Sequence, residues 1–302
     1  MVKWLLDDSV DGCIYTIAKD REVKWSWTIG DKAVGYRHSR ISWHGDVRTW
    51  LRMLGDGKRH VDMFVSTNIL NWDALPELPP QYRLAGQGYN GEAIDRYSAM
   101  WKTWLTPADC RSQGLEWKEI WIGKNMVWDF DHPDIGMAFD WANAVFELLK
   151  NELDLNPQMV FSGGKGFHIW LNHKQSALLA GTSLHKLADA GDPDPLRTMG
   201  KLYAKKVKEI AFEATGEPIR SLDLSPNYRQ GVIRIPYSIN KSIVWPISEP
   251  ERDELCSRSF SRLSEVDKVL QPDQWRERFG GRSYIRGKGR IAFRRLLDVF
   301  TR

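Results

Sequence analysis

The 302-residue sequence predicts a mixed α and β fold of the α+β class. Three observations predict it. Apolar runs of strand length are bounded by proline and glycine, one long stretch repeats its apolar residues at helical spacing, and a glycine-rich turn separates two β-type runs.

In chain order, Val61 to Asn68 reads as a buried strand that the proline-rich stretch Leu75 to Pro80 breaks off. The region from Tyr82 to Gln113 carries Gly86, Gly88 and Gly91 with a helix around Ile94 to Trp104, and leads into an expected strand over Trp117 to Ile122. Met126 to Asp131 is a second apolar run. Pro133 stops it, and Asp134 is placed to cap the next helix. Ala138, Trp141, Ala142, Val145, Leu148, Leu149 and Leu153 then recur as an amphipathic helix over Ile135 to Leu153 requires, until Pro157. Met159 to Phe161 and Phe167 to Leu171 read as two strands around the turn Ser162 to Gly166. Helices over Ser176 to Ala190 and Pro195 to Ala214 cross to Asp223 and to a strand over Val232 to Ile235. From Glu249 onward the pattern is helical and polar.

Hydrophobic residues make up 42% of the chain and charged residues 27%, the composition of a soluble globular protein. The apolar runs fall far short of the roughly 18 residues that span a bilayer. Acidic residues follow the first few positions before any signal-type core forms, so no export signal is read and the cytoplasm is the expected compartment. Cys13, Cys110 and Cys256 are too scattered for a disulfide framework or a zinc site, and no zinc is expected. The 15 tryptophans are expected mostly in the core, with stacking on unpaired bases as the other role open to any one of them.

The net charge of +4 hides an uneven distribution. Between Arg276 and Arg302, nine basic residues stand against two acidic ones. Such a segment suits a nucleic-acid backbone, with Arg286, Lys288, Arg290, Arg294 and Arg295 as the contacts, but it equally describes a solvated basic helix.

Two clusters carry chemistry. Alternation along a strand points Asp129 and Asp131 to one face and Phe130 to the other. Two carboxylates sharing a small site repel one another unless a cation joins them, and oxygen-only ligands favour Mg2+ or Mn2+ over zinc. Metal pairs held this way serve phosphoryl and nucleotidyl transfer. Asp223, where a helix-rich stretch gives way to an extended one, is the candidate third carboxylate. An Asp-x-Asp alone also arises by chance at strand ends.

The second cluster is Ser162-Gly163-Gly164-Lys165-Gly166-Phe167-His168. Glycines let backbone N–H groups approach anionic oxygens, Lys165 supplies a full charge, Ser162 a hydroxyl, and His168 projects opposite to Phe167, Ile169 and Leu171. The plainer reading is a hairpin turn with an incidental lysine. It is no Walker loop, because Gly166 follows the lysine where serine or threonine belongs.

In this order, the motifs resemble the catalytic core of the archaeo-eukaryotic primase superfamily. Val-Trp-Asp129-Phe-Asp131-His resembles the first motif, the Ser162 to His168 segment the second, and Leu222-Asp223 the third. Arg234-Ile-Pro236-Tyr-Ser238-Ile-Asn240-Lys241 resembles a further segment that holds the incoming nucleotide's phosphates, with a weaker echo in Phe64 to Asn68. Many relatives have histidine where Asn240 stands, and many carry a zinc module that this sequence lacks.

The resemblance implies an RNA-recognition-like sheet packed with a smaller α/β lobe, over residues 1–250, with an N-terminal lobe at about 1–115 and the metal- and nucleotide-binding core at about 116–250. A helical, basic segment over 251–302 completes the chain. It further implies Asp129, Asp131 and Asp223 as catalytic metal ligands for Mg2+ or Mn2+. Ser162, Gly163, Lys165, Gly166, His168, Arg234, Ser238 and Lys241 would bind the nucleotide, although Arg234 also reads as a surface strand charge. The implied activity is a DNA primase or primase-polymerase that makes or extends primers on a single-stranded DNA template from NTP or dNTP. A helicase or accessory primase subunit would be its partner, and no membrane is involved. A repair or end-joining polymerase of the same superfamily is the alternative, ahead of a non-catalytic nucleic-acid-binding relative and a manganese-dependent glycosyltransferase.

Overall fold

Two antiparallel sheets and a short ribbon between them organise the computed structural model, which describes residues 8–29, 32–39, 61–75, 105–238, 240 and 244–270. Lys241, the expected helix around Ile94 to Trp104 and the basic residues Arg286, Lys288, Arg290, Arg294 and Arg295 lie outside the described residues.

The first sheet comes after helix α1 (Asp8–Ala18) and contains β1 (Val23–Ile29), β2 (Lys32–Ser39), β3 (Val61–Ser66) and, from far along the chain, β10 (Val232–Arg234). Its order is β10-β3-β1-β2. The second sheet contains β6 (Met126–Asp131), β7 (Gln158–Phe161), β8 (Gly166–Leu171), β9 (Leu222–Asp223) and β11 (Trp245–Pro246), in the order β11-β7-β8-β6-β9. Between the sheets, β4 (Asn68–Leu70) pairs with β5 (Trp121–Lys124).

Helices α2 (Pro107–Ser112) and α3 (Trp117–Ile120) precede β5. The strand expected over Trp117 to Ile122 is therefore corrected at its start. Trp117, Ile120 and Trp121 are all buried, and their spacing of three and four residues suits one helical face. Glu116 caps this turn by accepting from the Lys118 amide at 3.4 Å. The strand begins only at Trp121.

Asp134 caps α4 (Ile135–Glu147), its carboxylate accepting from the Gly136 amide at 2.9 Å, and a π turn over Leu148–Glu152 continues the helix. The remaining helices are α5 (His173–Ala180), α6 (Leu184–Asp189), α7 (Pro195–Thr215), α8 (Glu249–Cys256) and α9 (Leu263–Leu270). Pro195 fits the first turn of α7, where its missing N–H is not needed, and Gly216 ends that helix at φ 74°. No helix among the described residues is long and apolar enough to cross a membrane.

The core sits between the second sheet and helices α4 and α7. Trp128, Phe130 and Phe167 point into it. Phe139 of α4 meets Phe167 edge to face at 5.3 Å, and the Trp128 indole donates to the Val207 carbonyl of α7 at 3.0 Å. Each such phenylalanine contributes roughly 1.5–3 kcal/mol by leaving water. Trp72, Trp117, Trp121, Trp128, Trp170 and Trp245 are all buried, as the core role expects. With one face covered by helices, the side chains of Asp129 and Asp131 are left on the opposite face.

The first residue of α5 makes stability depend on pH. Burial, assisted by Arg21, Lys174 and His185, lowers the His173 pKa from 6.5 to about 4, and its Nδ1 is buried without a hydrogen-bond partner. The unfolded chain thus takes up a proton near 6.5 that the folded chain refuses until about 4. Stability from this group is present above that window and is lost as pH falls through it. Thermal midpoints measured across the window should fall less steeply for His173→Gln than for the unaltered protein.

Candidate active site

Strand register builds the site. Asp129 of β6 lies directly opposite His168 of β8 on one side and Asp223 of β9 on the other. Directly paired residues of antiparallel strands project to the same face, so these three side chains share it, and Asp131 joins them two residues along. Asp223 thus stands beside the acidic pair.

The acids and bases face each other. His168 is buried, and its Nε2 lies 3.3 Å from Asp129 Oδ1. Its Nδ1 has no hydrogen-bond partner. Lys165 Nζ lies 3.3 Å from Asp131 Oδ2 in a pair that remains largely open to solvent. Asp223 is exposed, and its carboxylate accepts from the Ser225 amide and hydroxyl, both at 2.8 Å.

The glycine turn is shaped for close approach. Ser162 and Gly166 close it through Ser162 N–H to Gly166 O at 2.9 Å and Gly166 N–H to Ser162 Oγ at 3.1 Å. Gly163 takes φ 70°, which favours glycine. A side chain on Gly166 would collide with the Phe130 carbonyl and the Asp131 carboxylate, so only glycine lets β8 lie this close to the acidic strand.

The downstream segment divides. Asn240 reaches the turn, donating from Nδ2 to the Ser162 carbonyl at 3.1 Å. Ser238 is fully buried with its hydroxyl unpartnered, just after Tyr237 at φ 69°. Arg234 belongs to the first sheet, where it pairs with Asp62 and lies over the Phe64 ring at 4.9 Å. Both contacts are with that sheet rather than with the acidic residues.

Sequence reasoning missed Asn227, whose buried side chain replaces a missing strand partner. It accepts from the Val127 amide at 2.9 Å and donates to the Val127 carbonyl at 2.5 Å. Its one visible signal is an amide residue soon after Asp223 in a Ser-Pro-Asn turn.

Divalent-metal chemistry fits the donor set: Asp129, Asp131 and Asp223 offer only oxygen, suited to Mg2+ or Mn2+. Asp129 directly opposite Asp223 is a like-charge pair that costs stability unless a cation offsets it. In their present positions, with Asp131 on Lys165 and Asp223 on Ser225, no three metal-binding side chains among the described residues gather closely enough to hold an ion.

No family model matches the sequence. Over 120 residues the chain is 32% identical to the DNA primase small subunit PriS of Pyrobaculum aerophilum, a match covering 33% of this chain and 38% of that protein. The chain thus spans well under half the length of this relative. Among solved structures, the polymerase domain of Mycobacterium tuberculosis ligase D in complex with DNA matches 92% of this chain and 90% of that one, with a TM-score of 0.47 and 13% identity. No residue role is carried over from that likeness. The three motifs in order, together with the stretch shared with the primase subunit, make this chain similar to the archaeo-eukaryotic primase superfamily.

Proposed function

We propose that this chain is a metal-dependent nucleotidyltransferase that makes or extends primers on a single-stranded DNA template. The observation that carries this reading is the placement of Asp223 and His168 directly opposite Asp129, with Asp131 and Lys165 beside them. A like-charged pair built into a sheet is costly, and a bound divalent cation turns that cost into a binding site.

In this reading Asp129, Asp131 and Asp223 hold Mg2+ or Mn2+. When bound, the metal supplies charge for the attacking 3′-hydroxyl and for the departing pyrophosphate. The chain's own residues do the positioning. Lys165 exchanges Asp131 for the triphosphate, the turn's amides at Gly163 and Gly164 meet phosphate oxygens, and His168 fixes Asp129 from the neighbouring strand. Bond formation is between the 3′-oxygen and the α-phosphorus, and the bond to the pyrophosphate oxygen breaks. Asn240 holds the turn through the Ser162 carbonyl. Ser238, Arg234 and Lys241 complete the proposed nucleotide contacts, and the basic tail the template contacts.

The test is synthesis on single-stranded DNA with labelled nucleotides and Mg2+ or Mn2+, with and without a primer, comparing ribo- and deoxynucleotides. Product dependent on the metal is expected from the unaltered protein. Equal product from the Asp129→Ala and Asp131→Ala proteins would overturn the assignment of the site.

A further inference from the structure

The two-residue strand β9 cannot hold Asp223 by itself. It contributes only the pairs Asp129 to Asp223 and Phe130 to Leu222, too little ladder to fix an exposed carboxylate. The next stretch of chain is held tightly. From Ser225 to Gly231 it crosses from the second sheet to the first, and it meets two further places where the chain changes sheets, Thr67 between β3 and β4 and Asn125 between β5 and β6.

Buried polar side chains tie these crossings together. Thr67 Oγ1 donates to the Pro226 carbonyl at 2.7 Å and accepts from Lys124 Nζ at 2.7 Å. The same ammonium donates to Asn68 Oδ1 and to the Tyr228 carbonyl, both at 3.0 Å, while Asn68 Nδ2 donates to the Arg229 carbonyl at 2.8 Å. Backbone bonds add Thr67 N–H to Gly231 O at 3.1 Å and Asn125 N–H to Thr67 O at 2.8 Å. Close packing completes the clamp, since a Cβ on Gly200 would come within 2.9 Å of the Asn227 carbonyl.

A buried lysine is expensive unless all its donors are met, and here each of its three hydrogens has an acceptor among these groups. An apolar side chain at Lys124 would fill the space but could not reach the Tyr228 carbonyl. The arrangement specifies where the crossing segment lies rather than merely filling the interior. Asn227, on the same segment, then fastens it to β6 at Val127, two residues before Asp129.

We propose that Thr67, Asn68, Lys124 and Asn227 form the positioning element for Asp223, setting the third carboxylate against Asp129 from outside the metal site. This rests on the reading of Asp223 as a metal ligand. The four residues are positioning residues, and they also give the Phe64 to Asn68 stretch a role in the site that its sequence does not disclose.

Mn2+ binding, followed by the electron paramagnetic resonance signal of the free ion, tests it without reliance on turnover. Thr67→Val keeps the shape and removes the hydroxyl, and is expected to weaken Mn2+ binding about tenfold, the scale of an outer-shell loss at a metal site. Thr67→Ser restores the hydroxyl and is expected to bind within about twofold of the unaltered protein, on the same scale. Leu255→Ala, a core change in α8, lowers the unfolding midpoint and leaves Mn2+ affinity unchanged. Asp223→Ala separates the two ideas. If it binds Mn2+ as tightly as the unaltered protein, the ligand reading fails and takes the positioning element with it. If it binds weakly while Thr67→Val binds normally, only the positioning element is overturned. Should Thr67→Val not fold, hydrogen exchange on the unaltered protein decides. The amides of Asn227 and Gly231 must exchange as slowly as those of β6, and exchange at the rate of unstructured peptide overturns the proposal.

Discussion

Asp129→Asn is expected to lower nucleotidyl transfer by at least ~100-fold while the protein unfolds at the same temperature or slightly higher. Partners in the outer shell of a metal site already cost 10- to 100-fold when changed, so roughly a hundredfold is the floor for a ligand itself. The stability half of the expectation comes from the sheet. Asp129 stands directly across from Asp223, and neutralising one member of an opposed like-charge pair relieves repulsion of about 0.2–1 kcal/mol. Asparagine keeps the shape and an oxygen near His168. Steady-state rates with Mn2+ and thermal midpoints of both proteins check it. A variant with full activity would remove Asp129 from the reaction, and a large drop in midpoint would show that the residue serves the fold instead.

The second large effect is structural. Gly166→Ala should cost about 3 kcal/mol, the upper part of the range for overpacking, because the added methyl would strike the backbone of β6 at Phe130. That backbone cannot retreat. β6 is paired on both sides, by β8 and β9, and its other face is filled by Trp128 and Phe130 against α4 and α7. The collision also includes the Asp131 carboxylate, and the displaced strand carries His168 with Lys165 just ahead of it. Activity should therefore fall along with stability. Gly163→Asn is the comparison, since it changes a left-handed position that asparagine tolerates, and it should cost well under half as much. Urea unfolding of the two variants gives the difference directly. Equal losses would mean that the turn's conformation, rather than its closeness to β6, is what requires glycine.

Much of this arrangement was legible in local pattern. The strand Met126–Asp131, the Asp134 cap, the amphipathic helix after it and the hairpin around the glycine turn all appear at their expected places, because each is fixed by neighbours within a few residues. The opposite facing of Asp129 and Phe130 comes from strand geometry alone. The helical turn at Trp117–Ile120 was not legible as such, since a short apolar run is compatible with either period until its packing is known.

Sequence by itself therefore determined the residue types of the site, the order of its motifs and the side of the strand on which each acid falls. Only the tertiary structure decided that Asp223, 92 residues beyond Asp131, lies across from Asp129, and that Arg234 pairs with Asp62 in the other sheet. It alone showed that Lys124, one lysine in an apolar stretch, binds the crossing segment beside the site. The physical reason is one of range. Side-chain alternation and capping act over a few residues, whereas the partner of a two-residue strand is chosen by buried hydrogen bonds that no periodicity along the chain encodes.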